Sequence, residues 1–86
     1  MKLSVDISMY PLHKDFEEPI KEFITKLRAS KFEIQENPLS TQVYGDYKEI
    51  MTWLNENIHE AFLNEENCVF VLKLIKGDRA NYEPHI

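Results

Sequence analysis

The apolar residues of this chain keep a period of two, shift to a period near 3.6 and return to two, and they do so twice within 86 residues. Period two belongs to strands and 3.6 to helices, so the order predicts strand, helix, strand, then strand, helix, strand. In residues 2–10, Leu3, Val5, Ile7 and Met9 alternate with Ser4, Asp6, Ser8 and Tyr10, a strand covered on one side, which Pro11 is expected to stop. Asp15 reads as a helix N-cap with Glu18 completing a capping box, and Pro19 fits the first turn. Phe16, Ile20, Phe23, Ile24 and Leu27 then form one stripe, which fades around residues 29–31. Phe32 and Ile34 alternate with Glu33 and Gln35, Asn37 and Pro38 turn the chain, and Leu39, Thr41 and Val43 alternate with Ser40, Gln42 and Tyr44. Gly45 is expected to end that strand in a backbone conformation that side chains resist. Asp46 caps the second helix with Glu49 three residues on, and Tyr47, Ile50, Met51, Leu54, Ile58, Ala61 and Phe62 share one sector with Trp53 at its edge. Cys68 to Ile75 is apolar on both parities except at Lys73, which predicts a strand whose second face something covers, a partner chain being one candidate.

The fold class this predicts is α+β: a ferredoxin-like βαββαβ sandwich, with a four-stranded antiparallel sheet in the order 4-1-3-2 and both helices on one face. Residues 1–76 make a single domain, and residues 77–86 a short, loosely held polar tail.

Composition removes several function classes. A chain this short buries roughly 60% of its unfolded surface, a thin margin that small domains often widen by self-association. Lys and Arg are scattered over a net charge of −5, the opposite of the clustered basic face that nucleic acid requires, so no nucleic-acid partner is expected. No apolar run approaches the ~20 residues of a membrane span, and Asp6 interrupts any signal-peptide core. Cys68 is the single cysteine, which excludes an intrachain disulfide and suits a reducing cytoplasm. His13, His59 and His85 lack ligand-like spacing and read as surface residues, so neither metal nor cofactor is expected. Asp15, Glu17 and Glu18 serve the helix start rather than acid–base chemistry. Nucleophile elbows, CxxC pairs, HExxH and phosphate loops are all missing from the sequence, and the loop PLHKD holds neither the arginine nor the glycine an anion cradle needs. No enzymatic activity is expected.

Two segments, ISMYPL at 7–12 and LSTQVYG at 39–45, carry hydroxyls where a simple core strand carries packing residues. In the 4-1-3-2 order, strands one and three are antiparallel neighbours, so the end of the first lies beside the start of the third. That gathers Ser8, Tyr10, Ser40 and Thr41. Asp6, Ser8, Tyr10, Ser40, Gln42 and Tyr44 face away from the helices, and Thr41 faces toward them. A polar centre flanked by aromatics suits a flat ring with hydrogen-bonding edges. Ser8 and Ser40 would bond ring nitrogens or amino groups, Tyr10 would stack, and Asp6 would pair with an amino group or a cationic charge. Gln42 and Tyr44 would line the site, with His13 at its rim. Wet-face packing accounts for the same residues without a ligand.

At these segments the chain resembles the YkoF-like thiamine/hydroxymethylpyrimidine-binding family, with Ser8, Tyr10 and Pro11 in an S-x-Y-P ending and Ser40, Thr41 and Gly45 in an S-T-x-x-x-G strand before Asp46. The likeness spans about residues 3–75. It implies binding of thiamine or its hydroxymethylpyrimidine moiety without catalysis, and homodimers or homotetramers. Two alternatives stay open: a regulatory or assembly module resembling ACT domains, with another small effector, and a structural oligomer with no ligand.

Overall fold

The computed structural model describes residues 1–81, so His85 lies outside the described residues. Its elements are β1 (Lys2–Pro11), α1 (Glu17–Arg28), β2 (Glu33–Glu36), β3 (Thr41–Asp46), α2 (Tyr47–Asn64) and β4 (Cys68–Lys76). The sheet runs β2-β3-β1-β4 with every neighbouring pair antiparallel, which is the predicted 4-1-3-2 order. The inward residues Leu3, Val5, Ile7 and Val43 meet Phe23 and Leu27 of α1 and Ile50 and Leu54 of α2 in one buried cluster. Trp53 packs edge-on against Phe23, with ring centroids 5.5 Å apart. The ends of the α2 stripe, Tyr47 and Phe62, stay exposed.

β1 does stop at Pro11, but it takes the proline in as its last residue, paired with Cys68. The reason lies in the ladder. Gly77 N donates to Lys2 O at 2.8 Å and Leu12 N donates to Asn67 O at 2.9 Å, so even-numbered residues of β1 turn their peptide groups toward β4. Tyr47 N donates to Met1 O at 2.9 Å, so odd-numbered ones face β3. β3 begins only at Thr41, opposite Ile7, and the missing N–H of Pro11 therefore costs no ladder bond.

Other expectations need correction. Asp15 does not cap α1: the helix begins after Phe16, itself in helical geometry, and no side chain caps it. With Phe16 at the cap position, Pro19 occupies the third helical residue and has no N–H to accept from. Asp46 does cap α2, accepting from Glu49 N at 3.2 Å. Gly45 neither ends β3 nor adopts a positive φ. Space selects it, because a Cβ there would sit 3.0 Å from Phe32 Cδ1. Leu39 lies outside β3 and is 87% exposed.

The chain after β4 is pinned rather than loose over residues 77–80. Gly77 turns with φ at 101°. Ser4 Oγ then donates to Gly77 O at 2.8 Å and accepts from Arg79 N at 2.9 Å, and Gln35 Nε2 donates to Ala80 O at 3.0 Å. This crossing buries Ser4 on the sheet face opposite the helices. Tyr44, opposite Ser4, is buried on the same face, whereas Val69, Val71 and Ile75 of β4 remain exposed on it.

Candidate functional site

Where β3 begins, the hairpin backbone turns away from β1. Asn37 Oδ1 accepts from Leu39 N at 3.0 Å and from Ser40 N at 3.1 Å, and Asn37 N donates to Ser40 O at 3.2 Å. This side-chain-closed turn draws residues 37–40 off the line of β3. The last residues of β1 then have a neighbour on the β4 side alone, and a recess of about 530 Å³ opens at that end of the sheet.

Four of the sequence-predicted residues line it: Ser8, Tyr10, Ser40 and Thr41. Ser8 and Tyr10 are on the open face of β1; Thr41 is buried on the helix side, level with Ile7. Tyr10 is half exposed at the edge. The apolar walls come from α1 and its approach, through Phe16, Ile20, Phe23 and Ile24. Sequence reasoning placed these in the core stripe and missed that the outer part of the stripe overhangs the sheet's end. Glu36 also lines the recess, but its carboxylate is held by Arg28 in a two-bonded pair of 2.8 and 2.7 Å. That pairing holds Glu36 below its ordinary pKa and raises that of Arg28.

Asp6 and Gln42 lie next to the recess without lining it. Asp6 Oδ1 accepts from Ser40 Oγ at 2.6 Å and from Gln42 Nε2 at 2.7 Å. Gln42 Nε2 also donates to Ser40 Oγ at 2.8 Å, and Gln42 Oε1 accepts from Asn37 Nδ2 at 3.0 Å. The bonds from Ser40 and Gln42 hold the Asp6 carboxyl below its usual pKa, against the opposing effect of burial and with help from Lys73. Asp6 thus fastens the turn that bounds the recess. Asx-turn formation by Asn37 was the signal in the sequence that pointed here.

Tyr44 is elsewhere. It pairs with Ser4 near the opposite end of β1, is buried, and its hydroxyl donates to Gln35 Oε1 at 3.3 Å. Burial, then Glu33, Asp78 and Asp6, push its phenol pKa up. His13 is drawn away from the rim, with its Nε2 3.1 Å from Glu65 Oε2. Among the described residues no group of three or more His, Cys, Asp or Glu could hold a metal ion, and no helix is long and apolar enough to cross a membrane.

The turn, the recess and both hydroxyl-bearing segments fall within residues 5–85, which match a family model described as thiamine-binding protein. The chain belongs to the thiamine-binding protein family. No curated protein matches it. Among solved structures, a structural-genomics protein of Streptococcus pneumoniae superposes with a TM-score of 0.84 at 24% identity, covering 94% of this chain and 92% of that one. A Thermotoga maritima protein linked by its designation to thiamine biosynthesis or salvage gives 0.81 at 24% identity, over 90% of this chain and 85% of that one. A hypothetical protein of Methanocaldococcus jannascii gives 0.73 at 21% identity, over 95% and 84%. Thiamine-binding family membership accounts for a small-molecule role, and the three superpositions show the shared fold.

Proposed function

We propose that this protein binds thiamine, or its hydroxymethylpyrimidine moiety, in the recess at the end of β1, without catalysing a reaction. The observation that carries the proposal is a recess of about 530 Å³ with aromatic and aliphatic walls, lined also by the hydroxyl-bearing residues Ser8, Tyr10, Ser40 and Thr41 of two adjacent strand ends. That is the composition of a small-ligand site: apolar area drives burial and a few polar groups fix orientation. Family membership supports the choice of thiamine. The protein acts in the cytoplasm as a homo-oligomer. The exposed Val69, Val71 and Ile75, on the open face of an edge strand, support self-association. Isothermal calorimetry tests the binding. Saturable binding of thiamine, weakened by Ser40→Ala and Thr41→Ala, is the expected result, and no heat up to millimolar ligand refutes it. Sedimentation velocity tests the assembly, with a monomer at all concentrations as the refuting result.

A further inference from the structure

The ladder between β1 and β3 stops one pair early. Leu3 with Gly45, Val5 with Val43 and Ile7 with Thr41 are opposite one another, and each odd-numbered residue of β1 turns its N–H and C=O toward β3. The next pair in this register would be Met9 with Leu39, exchanging two bonds. It does not form. Leu39 N is committed to Asn37 Oδ1, and Leu39 lies outside the strand. Met9 sits opposite Phe70, where its peptide groups point away from β4, and among the described residues its N–H meets no acceptor. Pro11, the next odd residue, contributes only a carbonyl. Met9 and Pro11 both line the recess, so the strand's unused peptide edge faces into it.

An unpaired backbone donor and acceptor at the wall of an open recess are solvated by water, and a ligand edge carrying the matching acceptor and donor can displace that water without leaving either group unbonded. A second strand cannot supply that edge, since the opening is a single ladder pair long between Thr41 and the end of β1. A flat ring can. Resting on the proposed function, we infer that the Met9 main chain reads the ligand: its N–H donates to a ring nitrogen and its C=O accepts from an adjacent amino group, so that the ring takes the place Leu39 leaves empty. The class of ligand is a heteroaromatic ring with an acceptor nitrogen next to a primary amine, the edge that a 4-aminopyrimidine presents. Ser8 and Tyr10, whose peptide groups are spent on β4, contribute through side chains alone.

The test compares Met9→Pro with Met9→Ala. Both remove the side chain, and only proline removes the N–H, on an edge where Pro11 is already accepted. The probes are thiamine, free 4-amino-5-hydroxymethyl-2-methylpyrimidine, and the 4-oxo analogue of thiamine, whose edge has donor and acceptor exchanged. Met9→Pro should bind thiamine about ten-fold more weakly than Met9→Ala, and the 4-oxo analogue should lose a similar factor against the unaltered protein. Equal binding by a folded Met9→Pro overturns the inference. Amide exchange followed by NMR on the unaltered protein decides the matter should Met9→Pro not fold. Thiamine should slow exchange at Met9 by about ten-fold or more, because one bond must break before exchange. Saturable binding that leaves the Met9 amide unprotected overturns this inference alone, whereas absence of binding overturns it together with the proposed function.

Discussion

Removing the Asp6 carboxylate tests how the recess is held open. In Asp6→Ala, Ser40 Oγ and Gln42 Nε2 both lose the acceptor they share, although they keep their 2.8 Å contact with each other. A hydrogen bond to a charged group contributes about 1.5–3 kcal/mol when buried, and partial exposure places this pair near the low end, so the combined loss is about 2 kcal/mol. For a domain of this size each kcal/mol lowers Tm by roughly 4–8 °C, giving a drop of about 10 °C. Asp6→Asn keeps a carbonyl oxygen to accept both bonds and should lose about half as much. The pH dependence has a definite sign. The folded carboxyl has a depressed pKa, so its contribution is complete above the unfolded value of about 3.9 and fades as the pH falls through the lower folded value. Urea melts from pH 7 down into the acid range should therefore show the gap between wild type and Asp6→Ala constant at first and narrowing only in acid. Thiamine affinity should fall in Asp6→Ala, with Asp6→Asn close to wild type. A gap that stays constant through the acid range, or an Asp6→Ala protein as stable as wild type, would refute the assignment of Asp6 as the fastener of the turn.

Three further outcomes are expected. Gly45→Ala should cost about 1–3 kcal/mol in urea melts, because the new methyl meets Phe32 Cδ1 at 3.0 Å, and Phe32→Leu should recover part of the loss. Ser4→Ala should release residues 77–80 and lower stability by about 1–3 kcal/mol, with faster amide exchange at Arg79 as the local readout. Phe23→Ala should cost about 3–5 kcal/mol, since Phe23 is buried against Trp53 and Phe70 as well as lining the recess, and Phe16→Ala should weaken ligand binding with a far smaller stability change, Phe16 being half exposed.

The architecture was legible because each element carries its own period and most carry their own punctuation. Asp46 with Glu49 marks a helix start, and structure and sequence agree there. Asp15 with Glu18 carries the same signature and fails, because entry geometry and Pro19 decide that end, and neither is visible in a four-residue motif. Alternation assigned Leu39 to the core side, but the Asn37 side chain competes with the backbone for the amides of Leu39 and Ser40 and wins. That the strand ends carrying Ser8, Tyr10, Ser40 and Thr41 border one recess followed from strand order alone. Tyr44 was grouped with them by face alone; its place four residues beyond Ser40, roughly 13 Å along an extended strand, already set it apart, and the pairing with Ser4 bears that out. The walls from Phe16, Ile20 and Ile24 depend on how far α1 overhangs the sheet, a tertiary quantity that no local pattern encodes.

A hairpin that stops one residue pair short has an evolutionary corollary. Hairpin length and pocket capacity are a single variable here: two residues added at 37–40 could zip the vacant rung shut, and a longer excursion could widen it, with the buried cluster untouched in either case. Relatives differing by small insertions at this bend are therefore expected to differ in what they hold more than in how firmly they fold.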